Sequence, residues 1–507
     1  MRKNLLSLSS IVLSMLLFSF SAFAQSQFGE ISGTVTDPNG AVVPNATVTV
    51  TGLSIGLTRT AVTNASGFYA FRQLPPGNYN VSVAATAGFA AKEVQNQNVA
   101  LETTTTVNVA LSVTGGTTTV EVTSDELVAP VDVGSTKVQT NISAAKIELL
   151  PKGVDFTSVL KTAPGTRGEG LAGGISVDGA SGSENVFIID GQEVTNFRTG
   201  TLNPNNAIPN QLIQEVQVKS SGFEAEFGGA TGGVVNVVTK GGSNEWRGEF
   251  GAQWQSPKLN GGNRPALLRF GAGDGPTEYL TSPKAGGYNF FPTATFSGPV
   301  IKDRLWFLGS YTPQIYTSNT TTKFYTSAPA ATRVYRFEEN YRATTRYEYA
   351  FGRIDAQPIN SIRLNASYLW NPQINDGLIP FGTISLGGNP ASLTLNGTTY
   401  AGADLYKRQG GRQTSNNFAS QVTWTPTSNF YASGRFSRGF LNQKGTNYFV
   451  FSNTSYRCIV DVGGYCPQGQ SDPSPSLTSY DVSVRTNIEA DATFFSNVGG
   501  VRNEIKG

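Results

Sequence analysis

Few side chains in this chain could do chemistry. The 507 residues include no histidine, which removes imidazole-based triads, zincin motifs and facial-triad iron sites. Cys458 and Cys466 are the two cysteines; their C-x7-C spacing without histidine makes a poor metal site, and in an exported chain an even count suits one disulfide closing an external loop. Asp178, Ser183, Glu184 and Asp190 offer oxygen ligands for calcium, but their spacing fits no EF-hand loop. Asp178-Gly179 and Asp190-Gly191 read instead as tight turns. The corner Gly228-Gly229-Ala230-Thr231-Gly232-Gly233 imitates a phosphate loop, yet neither a G-K-[ST] nor a helix follows it. No catalytic residue, metal or cofactor is expected.

Composition narrows the classes further. Lys and Arg number 37 against 35 Asp and Glu, a net charge of +2 that supplies no field for a nucleic-acid backbone, so no nucleic-acid partner is expected. Charged residues are 14%, below the roughly 25% of an average soluble protein, and 57 Gly with 25 Pro put turn formers in excess. Arg2 and Lys3 precede a serine-interrupted apolar stretch from Leu5 to Phe23 that exits through Ala22-Phe23-Ala24. This reads as a signal peptide over residues 1–24. No later run nears the roughly 20 apolar residues of a spanning helix, so any later membrane crossing would use strands.

The elements that must position these residues are mostly strands. Gly33 to Asp37, the turn Pro38-Asn39-Gly40 and the alternating Ala46 to Val50 give a hairpin signal. Asn64-Ala65-Ser66-Gly67 turns into Phe68 to Phe71, and Pro75-Pro76-Gly77 into Tyr79 to Val83, whose apolar side chains share a face. Short strands at this spacing make a β-sandwich. Residues 27–113 resemble the carboxypeptidase regulatory-like domain, of carbohydrate-binding-like fold, through the G-x-V-x-D opening and the G-x-Y…L-P-P-G-x-Y-x-V close. Gly67-Phe68-Tyr69 supplies the G-x-Y. Sugar binding would need exposed aromatics such as Phe68 or Tyr79; the other reading makes them core.

Residues 114–131 are a Thr- and Val-rich linker. Its extended backbone could be a plain interdomain strand, or a handle captured by strand addition to another protein's sheet edge. Beyond Asp132, Ser143 can cap one short helix, with Ile142 and Ile147 as a hydrophobic staple, and Asp155 a second, with Val154 and Val159. Ile175 to Gly179 and Asn185 to Gly191 read as strands ending in turns. Val216 and Val218 share one strand face, and Val234, Val235, Val237 and Val238 form a strand buried on both. The residues Asp178-Gly179, Ile188-Ile189-Asp190-Gly191, Glu215-Val216, Phe227-Gly228 and Gly232-Gly233-Val234-Val235-Asn236-Val237-Val238-Thr239-Lys240 make residues 132–243 resemble the plug domain of TonB-dependent outer-membrane receptors, in the Oar-like subgroup with a regulatory-like sandwich ahead of the plug. The resemblance implies that Val120-Glu121-Val122-Thr123 is the coupling box.

From residue 244 the pattern changes to alternating segments rich in Tyr, Phe, Trp and Thr, close to the 9–11 or so residues of a tilted membrane strand. Expected strands are Trp246 to Gln255, Tyr288 to Gly298, Leu305 to Pro313, Tyr347 to Gln357, Ile362 to Trp370, Asn416 to Thr425, Phe430 to Phe440 and Asn447 to Phe451. Pro358 to Ser361 and Pro426 to Asn429 are short periplasmic turns in this reading; Pro313 to Arg346 and Asn371 to Thr414 are long external loops. A 22-stranded family barrel needs more chain than residues 244–507 supply, since only about 8 to 10 strands fit. No aromatic strand closes the sequence, so it reads as the N-terminal part of a longer receptor.

The expected fold is mainly β: an N-terminal β-sandwich, an α+β plug and an incomplete antiparallel transmembrane β-barrel. The resemblance implies a non-enzymatic outer-membrane receptor that imports a siderophore, carbohydrate or peptide. Its expected partners are a TonB-type energy-coupling protein and outer-membrane lipid. The rival is a surface adhesin or carbohydrate-binding outer-membrane protein without active transport.

Overall fold

The computed structural model describes residues 27–53, 56–86, 88–113, 118–120, 137–150, 152–171, 173–196, 198–223, 227–269, 277–281, 284–326, 334–379, 384–386, 392–395, 397–407, 410–427, 429–444, 480–498 and 501–506. The signal peptide, residues 121–123, both cysteines and the strand expected from Asn447 to Phe451 lie outside them. The described residues are mostly β, with 62% strand and 8% helix. Among the described residues no helix is long and apolar enough to cross a membrane.

Valine alternation builds the first body. Its strands are β1 (Gly29–Thr36), β2 (Thr47–Gly52), β3 (Thr58–Val62), β4 (Phe68–Leu74), β5 (Gly77–Val83), β6 (Lys92–Val99), β7 (Thr104–Thr106), β8 (Val109–Ala110) and β9 (Thr118–Val120). One sheet runs β3-β2-β5-β6-β9 and the other places β4, β7 and β8 against β1. Val48, Val50, Val81 and Val83 turn inward to meet Ile31, Val35, Tyr69 and Phe71 in one apolar cluster, as period-two patterning requires. The hairpin expected between β1 and β2 is corrected. Gly40 does close a turn onto Asp37, its N–H donating to the Asp37 carbonyl at 3.1 Å, but β1 pairs with β4 while β2 pairs with β3 and β5. Both strands have an apolar face, and the two faces meet across the core from opposite sheets. Tyr79 is fully buried, its hydroxyl donating to the Pro75 carbonyl at 2.7 Å, and Tyr69 likewise donates to the Val107 carbonyl at 2.6 Å. Burial pushes both phenols above their ordinary range. Tyr79 is therefore core and offers no sugar platform.

The second body holds β10 (Val138–Ser143), α1 (Ala144–Leu149), α2 (Thr157–Leu160), β11 (Thr166–Gly168), β12 (Ile175–Val177), β13 (Val186–Ile189), β14 (Gln192–Glu193), β15 (Ile213–Ser221) and β16 (Val234–Thr239). Its main sheet runs β10-β15-β16-β13-β14. Ser143 caps α1, accepting from the Lys146 N–H at 3.4 Å, and Ile142 and Ile147 are buried together. Asp155 accepts from the Thr157 N–H at 3.0 Å, the contact of an N-cap side chain with the second residue beyond it. Phe156 already has helical backbone, at φ −67° and ψ −20°, so Asp155 caps the helix as expected. Asp190 and Gly191, at φ +47° and +76°, turn β13 into β14 as expected. Asp178 and Gly179 share that conformation, but β12 pairs back with β11, so their turn closes no hairpin.

The third body comprises β17 (Arg247–Gln255), β18 (Ala266–Arg269), β19 (Thr277–Leu280), β20 (Gly286–Ile301), β21 (Leu305–Tyr311), β22 (Gln314–Tyr325), β23 (Tyr335–Tyr347), β24 (Ala350–Ile359), β25 (Ile362–Trp370), β26 (Gln373–Asp376), β27 (Ile384–Leu386), β28 (Ser392–Leu395), β29 (Thr398–Ala401), α3 (Gly402–Lys407), β30 (Gly410–Thr427), β31 (Phe430–Lys444), β32 (Tyr480–Val498) and β33 (Val501–Lys506). A 13-stranded, partial barrel-like sheet joins most of them. The expected loop from Pro313 to Arg346 is corrected: β22 and β23 pair from Gln314↔Tyr347 to Tyr325↔Tyr335, extending β21 and β24 beyond the expected strands. Thr- and Asn-rich residues such as Asn319 to Thr322 carry no apolar alternation, so pairing alone declares this hairpin. Within the expected loop from Asn371 to Thr414, β26 likewise pairs with β23 and β30. The short turns occur as expected, with Ile359 pairing Ile362 and Thr427 pairing Phe430.

The polarity of this sheet is reversed relative to a soluble sandwich. Ile354, Leu364, Tyr368, Val422, Trp424, Val484 and Ile488 are exposed, while Asp355, Arg363, Gln421, Thr423, Arg435, Asp491 and Thr493 are buried. The second body packs against that polar inner side.

Candidate functional site

Where the plug-like body meets the inner face of the barrel-like sheet, the turn between β13 and β14 places Asp190 beside the end of β16. Its carboxylate accepts from the Thr239 N–H at 3.0 Å and the Thr239 hydroxyl at 2.7 Å, and from the Ser367 hydroxyl of β25 at 3.3 Å. Arg353 of β24 lies 3.5 Å from Asp190 and donates to the Thr239 carbonyl at 3.0 Å and hydroxyl at 2.9 Å. The same guanidinium forks onto Asp355 at 2.9 and 3.1 Å, and Arg363 reaches Asp355 at 3.2 Å. Two cations and two anions thus balance in a nearly solvent-free site, the condition under which buried charge is tolerated.

A second set of contacts is made of amides. Asn205 donates to the Asn371 carbonyl at 2.9 Å, Asn371 donates back to the Asn205 carbonyl at 2.5 Å, and Asn417 donates to the Asn206 side-chain oxygen at 3.0 Å. Gln192 donates to Asn417 at 3.2 Å, and Arg485 pairs with Glu193 at 2.7 Å. Leu308, Tyr349, Phe351 and Leu369 of the sheet join the plug's apolar cluster. Each neutral hydrogen bond contributes on the order of 1 kcal/mol net, because water offers an equivalent partner. Such contacts can be exchanged for hydration.

Of the residues singled out in the sequence, Asp190, Gly191 and Thr239 stand at this contact. Lys240 follows, its N–H donating to the Leu212 carbonyl at 2.8 Å. Gly232 and Gly233 are packing glycines: a Cβ on Gly233 would meet Val177 at 2.9 Å, and one on Gly232 would meet the Asn185 side chain at 2.7 Å. Asn185 holds the corner by accepting from the Gly233 N–H at 2.8 Å. Phe227 is buried at the corner, edge-on to Phe223, whereas Gly228 is exposed. Asn236 is fully buried in the plug sheet. Asp178 and Gly179 form an exposed turn remote from the Asp190 cluster. Glu215 faces the sandwich, and burial pushes its carboxyl up to about 7 against the pull of hydrogen bonds from Leu101 and Asn141. Val120 ends β9, whose partner is β6. The calcium reading of Asp178, Ser183, Glu184 and Asp190 gathers no cluster: Glu184 accepts from the Ser181 N–H at 2.7 Å and Asp190 is taken by Thr239. Among the described residues no group of three or more metal-type ligands occurs.

Sequence reading did not find Arg353, Asp355, Arg363, Asn371 or Asn417. A charged residue at an inward position of an otherwise alternating strand, as in Arg353-Ile354-Asp355, was the available signal.

The sandwich caps the same end of the sheet as the short turns. The Arg72 guanidinium lies 3.6 Å from the centre of the Phe495 ring. Burial, and then the nearby Arg363 charge, hold Arg59 down to about 10. A cavity of about 770 Å³ lies where the three bodies meet, lined by Asn78 and Asn98 of the sandwich, Gln214 and Glu215 of the plug, and Trp246 and Ser297 of the sheet.

These features define a class: a sandwich preceding a plug that is fastened to the polar inside of a barrel-like sheet. Comparison with known proteins gives the class its family terms. Residues 30–112 match the carboxypeptidase regulatory-like domain and residues 132–234 the TonB-dependent receptor plug domain. The TonB-dependent transporter Oar of Myxococcus xanthus is 32% identical over 320 residues, covering 60% of this chain and 28% of Oar. The ferrienterobactin receptor of Escherichia coli (strain K12) is 29% identical over 137 residues, covering 24% of this chain and 18% of that receptor. Among solved structures, the outer membrane transporter YddB of Escherichia coli aligns at 16% identity and TM-score 0.47, covering 72% of this chain and 47% of YddB. The siderophore receptor PirA of Acinetobacter baumannii aligns at 14% and 0.45, covering 71% and 46%. The two domains in this order, with the similarity to Oar, support an Oar-like TonB-dependent receptor; the chain spans less than a third of the length of either of these curated relatives.

Proposed function

We propose that the protein is an outer-membrane receptor that imports a ligand through a plugged barrel, driven by a TonB-type energy-coupling protein. The observation that carries this reading is the reversed sheet, apolar outward and charged inward, with the plug fastened inside by exchangeable polar contacts. An outward apolar band faces lipid, and a polar interior lets water replace plug contacts as the plug is remodelled. The plug is the two-state element that coupling acts on.

Val120 to Thr123 is the proposed handle. β9 lies in parallel register on the edge of β6, Lys92↔Thr118 to Val94↔Val120, which supports a segment able to add as a strand. Tension on residues 121–136 would enter the plug at β10. The imported ligand is a siderophore, carbohydrate or peptide, bound from outside. Core burial of Tyr79 removes one of the two aromatics a sugar-binding sandwich would display and leaves only the half-buried Phe68, which favours import over display.

Val122→Pro tests the handle, because proline removes a ladder donor and resists strand addition. With a purified TonB-type C-terminal domain as the probe, the intact receptor in nanodiscs should bind and the variant should lose binding by more than about tenfold. Equal binding by both would refute the handle.

A further inference from the structure

β15 has two unlike faces. Val216 and Val218 point into the plug's apolar cluster, whereas Glu215, Gln217 and Lys219, two residues apart on the opposite face, are equally buried. A buried polar face requires polar partners, and one sandwich turn supplies them. The Leu101 N–H donates to Glu215 Oε1 at 2.9 Å, and the Leu101 carbonyl accepts from Gln217 Nε2 at 3.0 Å and from Asn141 Nδ2 at 3.0 Å. Asn141 also donates to Glu215 at 2.6 Å. The carboxylate of Glu102 takes Lys219 at 2.5 Å and Lys137 at 3.3 Å.

These contacts straddle two strands. Asn141 belongs to β10 and Lys137 immediately precedes it, while Glu215, Gln217 and Lys219 belong to β15. β10 is the edge strand of the plug sheet, held in that sheet by β15, and it receives the chain from residues 121–136. Glu102 sits at φ +53°, a left-handed conformation uncommon for a residue with a Cβ. Such a conformation persists where the surroundings over-determine it.

We propose that the Leu101–Glu102 turn is a rivet that clamps β10 to β15 and thereby sets the resistance of the plug's edge strand to peeling. In that role the sandwich governs how readily the plug opens. Antiparallel strands pulled from one end unzip residue by residue, and Glu102 with Lys137 stands where such a pull would enter. The use made of this resistance rests on the proposed coupling through residues 120–123; the clamp itself does not.

Hydrogen exchange of the whole protein in nanodiscs tests the clamp without any transport. In Glu102→Gln, amides of β10 should exchange about tenfold faster, with those of β13 and β16 unchanged. Asn141→Ser, which shortens the amide that spans Leu101 and Glu215, should give the same local effect. Unchanged β10 exchange in both variants would overturn the rivet, as would uniform acceleration through β16 in both, which would mean general loosening of the plug. Failure of the Val122→Pro test would remove the handle and leave the exchange result standing, so the two readings fall separately.

Discussion

The sandwich and the barrel-like sheet are both built from strands that alternate residue by residue, yet they turn opposite chemistry inward. In the sandwich, Val48, Val50, Val81 and Val83 meet at the centre, while Thr49 and Ser82 between them face outward. In the sheet, Arg353, Asp355 and Arg363 point in, while Ile354, Leu364 and Tyr368 point out. Period-two patterning is the same in both; what differs is the medium each face meets. A water-bathed sandwich gathers its apolar side chains, whereas a barrel between lipid and a polar lumen separates them outward. Alternation therefore identifies strands, and the direction of the polar face identifies the solvent.

The largest test of that contrast is Arg353→Met. An ordinary apolar core accommodates methionine of similar length, but here the change leaves Asp190 and Asp355 facing each other around one remaining cation, Arg363. Loss of one partner from a buried pair costs about 3–5 kcal/mol. The plug should unfold in correspondingly less urea, read from plug-tryptophan-free probes such as exchange of the β13 and β16 amides. An unchanged urea midpoint would break the comparison, because the interior would then behave as a normal core.

A smaller effect sharpens the contrast with a third environment, the polar face of β15 beneath the sandwich. The Glu215 carboxyl sits at about 7 where its ordinary value is 4.5. A carboxyl raised in the folded state binds its proton more tightly there, so its contribution to stability is fully present below pH 4.5 and is lost as pH rises through 7. The span amounts to about 3 kcal/mol at most. Melting temperature should fall from pH 5 to pH 8 in the native protein, and Glu215→Gln should flatten that slope. An equal slope in the variant would assign the dependence elsewhere.

The sandwich strands, the Ser143 cap, the Asp190-Gly191 turn and the Val216/Val218 face were legible from the residues because each is decided locally, by a turn conformation or by period-two burial. Three things were not. The partners of β1 and β2 depend on which sheet each strand joins, which the connecting residues 37–46 do not announce. The centre of β22 in the β22–β23 hairpin, Thr317 to Thr322, is Thr, Ser and Asn, so the apolar residues of β22 lie only toward its ends, Ile315 and Tyr316 at one and Phe324 and Tyr325 at the other, and make no continuous stripe. The plug contact joins residues such as Asp190 and Arg353 that are far apart in the chain, and neither residue type signals its partner. On the plug side of the contact Asp190, Gly191 and Thr239 were readable, the Asp-Gly turn being a backbone requirement, whereas Gln192, Asn205 and Asn206 were not; the barrel side consists of long-range charge balance.

The central claim is that the outward face of the sheet meets lipid. Single nitroxide-quenchable fluorophores placed at Ile488, exposed on β32, and at Thr493, buried on the same strand, test it most directly in vesicles containing nitroxide-labelled acyl chains. The account predicts strong quenching at position 488 and little at position 493. Quenching at neither position, with both probes reached by water-soluble quenchers, would contradict it.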